Sequence, residues 1–361
     1  MTNTKSIQLI KEHDQLYEHY YDWLAGQYDV SSGGFYYARS AINQPEYQPD
    51  IESTAQGVKI LLRSGLIEPM PIEMKDRIVA FFKERQQADG YFIDPHNEMR
   101  TVDRMVARAV GYCKNALDTL GAEADYALPG TGGVTSLPPH LLSLEVLEKW
   151  LDERPWDYAW MACDNISAAG VYIMNLPEET RQVYLDFVLD YLNRHQDSET
   201  GMWGEGRPYI KLSGAFKLCL FYRKFGLVMP RVNKIYDYVL YALRHDTSED
   251  MCWTRNAVDL LTTILPDIPP IPEEILNEIL TITYRNLKQY LKPDGGFSRH
   301  VAKSLKSPNN VPLGLGLVEG DMNAGTQALL IRALCHGLAG LDHEPIRRLT
   351  VDFYEKLEPS L

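Results

Sequence analysis

Carboxylates, cations and amides gather at intervals along this chain, each time close to where an apolar helical run begins. The sets are Asp50, Glu52 and Ser53; Asp103, Arg104 and Arg108; Asp164 and Asn165; Tyr209, Lys211 and Ser213; Trp253, Arg255 and Asn256; and Glu319, Asp321 and Asn323. Asp, Asn and Ser at helix starts are ordinary N-caps, and an acidic first turn complements the helix dipole. Capping does not account for Arg104, Lys211 or Arg255, because the dipole disfavours cations there. As a set, these groups suit a sugar: amides and carboxylates bind hydroxyls, aromatic faces stack on the ring, and Arg pairs with a carboxylate substituent. Hydrolysis needs two carboxylates across the scissile bond, for which Glu52 and Asp321 are the expected pair and Asp164 a third candidate. Elimination or epimerisation beside a uronate would use His300 or Tyr209 as base, with Arg255 or Arg104 neutralising the acid. The expected catalytic residues are therefore Glu52, Asp321, Asp164 and His300. The expected substrate-binding residues are Asp50, Arg104, Asn165, Trp203, Tyr209, Lys211, Trp253, Arg255, Asn256, Glu319 and Asn323. No metal or cofactor is expected.

A repeating unit has to position these groups. It is clearest from Tyr191 to Gly226, where a helix ends, a glycine turn carries an aromatic (Gly201, Trp203, Gly204), and a second apolar helix closes at Gly226. The same order recurs around Gly33-Gly34-Phe35, Gly90-Tyr91-Phe92 and Gly295-Gly296-Phe297, which places Phe35, Tyr91, Trp203 and Phe297 near the helix starts, with His96 and His300. Helices are expected over 6–28, 50–64, 71–87, 101–121, 139–153, from Asp164 onward, 178–195, 211–226, 232–245, 254–265, 273–291, 321–340 and 344–357. Residues 122–138 read as the longest loop-like insertion, and 298–319 as a long segment that could act as a lid over the site. Strand signals are absent. About six helix pairs result, with a period of roughly 45 to 60 residues. The second helix of each pair is the more apolar (VYIMNL, AFKLCLFY, AVDLLTTIL, ALLIRALC) and the first is amphipathic. A closed ring with an apolar inner wall explains both. The expected fold is an all-α (α/α)6 toroid, one domain over residues 1–361, in which the first and last inner helices, carrying Glu52 and Asp321, are neighbours.

The turns Gln86…Gly90-Tyr91-Phe92 and Gln196…Gly201-Met202-Trp203 resemble the QW-type repeats of the terpenoid cyclase and protein prenyltransferase α/α-toroid superfamily. The resemblance covers nearly the whole chain and implies the toroid. That fold is shared with polysaccharide lyases, glycosidases and uronyl epimerases. The stretch PDIESTAQGVKILLRSG looks like the DxDDTA motif of class II terpene cyclases, with Asp50-Ile51-Glu52-Ser53 at the four acidic positions. Glu52 replaces the proton donor and Ser53 its partner Asp, which makes a cyclase-like enzyme with an altered motif the alternative. The CHG of ALLIRALCHGLAG looks like a zinc motif of lanthipeptide cyclases, and Cys252 would be the other thiolate. Cysteine at an apolar helical position is, however, more often core than ligand. A non-catalytic toroid that binds a peptide or glycan is the third reading.

Composition limits the partners. The chain has 361 residues and a formal net charge of −13, with basic residues scattered, so a nucleic acid is not an expected partner. No stretch of about 18 apolar residues could span a bilayer, and the first residues lack a signal-peptide core. The five cysteines are dispersed, four of them in or beside apolar helical runs, which points to free thiols and a reducing cytoplasm. The expected partner is a small molecule or oligosaccharide.

Overall fold

The computed structural model describes residues 4–129, 138–342 and 344–357; of the insertion at 122–138, residues 130–137 lie outside the described residues. Along the chain lie α1 (Thr4–Gln15), α2 (Tyr20–Ala25), the short strands β1 (Tyr28–Asp29) and β2 (Gly34–Phe35), α3 (Ile51–Arg63), α4 (Ile72–Lys83) and α5 (Asp103–Thr119). There follow α6 (Leu144–Asp152), α7 (Ala159–Met174), α8 (Glu178–His195), α9 (Pro208–Lys224) and α10 (Val232–His245). The last are α11 (Met251–Ile264), α12 (Glu273–Tyr290), α13 (Met322–Leu338) and the single turn α14 (Arg347–Thr350). Among the described residues the fold is all-α apart from β1 and β2.

Two local rules set most of these boundaries. Helices α3, α5, α9 and α13 end in the same way. The amide after the closing glycine reaches back five residues (Leu66 to Leu61, Ala122 to Leu117, Leu227 to Tyr222, Leu341 to His336), and the glycine itself is left-handed. This Schellman closure satisfies carbonyls that the helix end leaves free. The glycine-aromatic turns are the second device. Three of them fold back as minimal hairpins: Tyr28 pairs Phe35 in β1–β2, and isolated bridges join Gln86 to Phe92 and Leu291 to Phe297, while at the fourth the Asp197 amide bonds the Met202 carbonyl at 2.9 Å. These pairings are too short to produce an alternating pattern, so they carry no strand signal in the sequence.

The chain divides into two compact units, one of Met1–Thr131, Glu249–Cys252 and Tyr284–Leu361, the other of Gly132–Ser248 and Trp253–Thr283. In the first, α3 packs against both α5 and α13, with α1 on α13 and α4 on α5. Tyr17, Tyr20, Trp23 and Phe297 form an aromatic core beside them, and the Tyr17 hydroxyl donates to the Ala328 carbonyl on α13 at 2.6 Å. The expected contact between the helices that carry Glu52 and Asp321 is therefore present. In the second unit α7 and α9 are the most intimately packed pair. Gly214 makes that approach possible, since a Cβ there would fall 2.9 Å from the Ala159 carbonyl oxygen and 3.1 Å from Cys163 Sγ.

Four boundaries depart from the sequence expectation, one being the helix expected over 139–153, which is a 3-10 turn at Pro139–Leu141 and then α6 from Leu144, because the Ser143 side chain accepts from the Val146 amide and caps the helix there. The run over 6–28 breaks into α1 and α2, because successive three-residue turn bonds (Leu16 to His13, Tyr17 to Asp14, Glu18 to Gln15, Tyr20 to Tyr17) tighten the chain. That turn lets both Tyr17 and Tyr20 bury fully. Helix α7 begins at Ala159, so Asp164 stands inside it and not at its start. Of the closing helix expected over 344–357, only α14 is helical. No helix among the described residues is long and apolar enough to cross a membrane.

Candidate functional site

In the first unit, Asp50 and Asp321 cap α3 and α13. Asp50 accepts from the Ser53 amide at 2.9 Å and from the Ser53 hydroxyl at 2.6 Å. Burial, and then the neighbouring Asp94, push its carboxyl well above the usual range. Asp94 accepts from the Ile51 amide at 3.1 Å and from Arg85 Nε at 3.0 Å. Burial lifts its carboxyl as well, and lowers the imidazole of nearby His96. Asp321 accepts from the Ala324 and Arg299 amides, both at 2.8 Å. It is fully buried, and that desolvation raises its carboxyl to about 6.

Glu52 lies in the first turn of α3, with no exposed surface. Its two oxygens accept from two carboxamides: Asn323 Nδ2 at 3.1 Å, from the start of α13, and Asn309 Nδ2 at 2.7 Å, from the 298–319 segment. Asn323 Oδ1 in turn accepts from Gln327 at 2.7 Å and from Arg299 at 3.4 Å, and Arg299 Nε donates to Asp250 at 2.6 Å. The buried Tyr37 side chain stands near both acids. Its hydroxyl lies beside Asp321 without a well-aligned hydrogen bond. Burial, and then the charges of Asp321 and Glu52, raise its pKa well above the ordinary value. On the α5 side, Lys59 Nζ sits 4.8 Å over the Tyr112 ring, and Arg108 donates to the Tyr112 hydroxyl. Burial and the Glu52 charge push that phenol up to about 12, against the pull of Arg108 and Arg104. Glu319 is held by the Ser40 amide at 2.8 Å and by the Ser40 hydroxyl. His300 is half-buried, its Nδ1 3.4 Å from the Glu249 carbonyl.

The expected residues of the second unit form their own group. Tyr209 and Trp253 stack with centroids 6.1 Å apart and planes 16° from parallel, and the Arg207 guanidinium lies 5.3 Å over Trp253. Arg255 sits 4.7 Å over Phe216 and pairs with Asp259 at 3.3 Å. Lys211 pairs with Glu205 at 3.0 Å, and Lys217 bridges from α9 to Asp164 on α7 at 2.8 Å. Those ion pairs explain the cations near the starts of α9 and α11. Asn256 is buried and Asn165, next to Asp164, is half-buried. Trp203 is 1 % exposed and its indole N–H donates to the Leu192 carbonyl at 2.8 Å, so it fills the core. Phe35 and Phe297 are likewise buried, and only Tyr91 of the turn aromatics reaches the surface. The CHG phrase is packing: Cys335 is buried, and His336 joins Arg332 around Asp14. Among the described residues no three His, Cys, Asp or Glu side chains converge as a metal site.

Neither a protein-family model nor a curated protein matches the sequence. Among solved structures, a protein from Actinoplanes is similar at 13% identity over 93% of this chain and 99% of its own, with a TM-score of 0.40. An unsaturated glucuronyl hydrolase from Streptococcus agalactiae is similar at 14% identity over 92% of each chain, also with a TM-score of 0.40.

Sequence reasoning missed the residues that surround the acids: Tyr37, Asn309, Arg299 and Asp94. Tyr37 carries a faint signal as the second tyrosine after the Gly33-Gly34-Phe35 turn. The Pro308-Asn309-Asn310 run is a turn signature, and both asparagines adopt a left-handed backbone. Nothing local marks Arg299 or Asp94.

Proposed function

We propose that this chain is a carbohydrate-active enzyme, a glycoside hydrolase, lyase or epimerase, whose chemistry takes place over Glu52 and Asp321. One observation carries the reading: two buried carboxylates from adjacent helices share the Tyr37 neighbourhood, and burial lifts one of them to about 6. Glycoside hydrolysis uses such an unlike pair. Asp321, protonated at mildly acidic pH, donates its proton to the leaving oxygen. Glu52, oriented by Asn323, acts on the anomeric carbon or on the attacking water. The Asn309 amide takes the place at Glu52 Oε2 that a substrate hydroxyl would hold, so the 298–319 segment lifts to admit a sugar. On a uronate, His300 is the base for elimination or epimerisation. The fold that goes with this reading is a single (α/α)6 toroid, supported by the recurring glycine turns and Schellman closures.

The alternative, a terpenoid cyclase-like enzyme, needs an acid strong enough to protonate an alkene. The Ser53 hydroxyl donates to Asp50 and not to Glu52, and the partners of Glu52 are amide donors. That arrangement favours the sugar.

The test is turnover of a panel of neutral and uronate oligosaccharides by the wild type, Glu52→Gln and Asp321→Asn, each checked for folding. The expected result is loss of at least about 100-fold in kcat with either variant. Turnover that survives both substitutions, or none on any substrate, refutes the assignment.

A further inference from the structure

A polar cavity of the first unit lies outside the acid cluster. It is an open pocket of about 600 Å³ formed by the segment that leads from β2 to α3, with Arg85 closing one side. That volume falls within the usual range for ligand sites, roughly 300–1,000 Å³. Its wall includes Tyr36, Tyr47, Asn43, Gln44, Gln48 and Asp29.

The wall is rigid in its backbone and free in its side chains. Gln44 N bonds Ala41 O at 3.2 Å and Tyr47 N bonds Gln44 O at 3.1 Å, while Pro45 and Pro49 restrict the intervening chain. Asp29 is held by the Ser31 hydroxyl and the Ser32 amide. Arg85 is occupied: Nε donates to Asp94, a terminal nitrogen donates to the Phe81 carbonyl, and the guanidinium lies 3.4 Å over the Phe81 ring. By contrast, the carboxamides of Asn43, Gln44 and Gln48 and the hydroxyls of Tyr36 and Tyr47 make no hydrogen bond to another described side chain or backbone group. Neither tyrosine ring stacks on another described ring or cation. Both tyrosines are half-buried and line the pocket.

We infer that this pocket is a binding site for a neutral oligosaccharide. Two uncommitted aromatic faces and three uncommitted carboxamides match sugar rings and their hydroxyls, since each amide both donates and accepts. The charge distribution selects against a uronate. The Ser31 and Ser32 donors hold the Asp29 carboxyl below its ordinary value despite the opposing effect of burial, so the wall carries a negative charge. The nearest cation, Arg85, is neutralised by Asp94. The same segment links pocket and acids: Tyr36 lines the pocket and Tyr37 stands near Asp321, while Pro49 lines the pocket and Asp50 caps α3. A bound oligosaccharide is thereby tethered beside the acid cluster. The inference takes its ligand class from the reading above, but it concerns binding and does not require turnover.

The experiment is calorimetric titration of the full chain with neutral trisaccharides of glucose, xylose and mannose and with trigalacturonate. The proteins are the wild type, Tyr36→Ala, Tyr47→Ala, and Gln48→Ala as a milder variant, with circular dichroism and melting to show that each is folded. At least one neutral trisaccharide is expected to bind the wild type more tightly than trigalacturonate. The Kd should rise about tenfold with either tyrosine replaced, and by a smaller factor in Gln48→Ala. In Glu52→Gln the pocket affinity should stay within twofold even if that variant has lost turnover. Failure of every neutral trisaccharide to bind, preference for trigalacturonate, or equal binding by folded Tyr36→Ala and Tyr47→Ala overturns the inference. Turnover unaffected by Glu52→Gln, with pocket binding intact, overturns only the catalytic assignment.

Discussion

Asp321→Asn separates what the Asp321 carboxylate does by its charge from what it does as a cap. In the native state burial holds this carboxyl at about 6, against an ordinary 3.8. A carboxyl whose folded pKa is raised binds its proton more tightly in the native state than in the unfolded one. Stability therefore rises as pH falls through 6 and levels off below about 4. The full shift corresponds to about 3 kcal/mol, and about 2 kcal/mol of it accrues between pH 7 and pH 4.5. Asn retains an oxygen for the Ala324 amide and is itself a good N-cap. Its amide faces the Arg299 N–H that Asp321 Oδ2 now accepts, a constant penalty of about 1–3 kcal/mol at every pH. Asp50 and Asp94 shift in the same direction and His96 in the opposite one, so the informative quantity is the difference between variant and wild type. Urea unfolding at pH 7, 6, 5 and 4.5 would measure it. The wild type should gain about 2 kcal/mol more than Asp321→Asn across that range. Parallel curves for the two proteins would refute the argument that burial of this carboxyl raises its proton affinity.

Two further outcomes follow from packing and charge. Asp14 is held at about 2, because His336 and Arg332 outweigh the opposing effect of burial. Its depressed pKa contributes roughly 2 kcal/mol above pH 4 that is lost as pH falls toward 2, so Asp14→Asn should flatten the acid limb of unfolding monitored by circular dichroism. Gly214→Ala places a Cβ 2.9 Å from the Ala159 carbonyl and should lower stability by about 1–3 kcal/mol in urea titration. An unchanged midpoint would mean that α7 and α9 separate at little cost.

The sequence by itself determined most of the helices and many of their ends. Schellman glycines, caps such as Asp50 and Asp321, and apolar periodicity act within five residues. They could be read directly, and α8 and α10 begin and end where the pattern places them. The glycine-aromatic turns were legible for the same reason, although the minimal strand pairing at three of them was too short to see. The sequence expectation that the helices carrying Glu52 and Asp321 are neighbours agrees with the packing of α3 on α13. Only the tertiary structure decided what those acids face. Asn309 reaches Glu52 from 257 residues away, and Arg299 reaches Asp321 from another segment. Hydrogen bonds of that kind depend on three-dimensional approach and leave no periodic trace. Burial is non-local in the same way: it raises Asp321, takes Trp203 into the core, and accompanies the pairing of Lys217 on α9 with Asp164 on α7, whereas Arg255–Asp259 is a local pair one helical turn apart. Hydrogen-bond caps belong to the chain, whereas desolvation and long-range pairing belong to the packed protein.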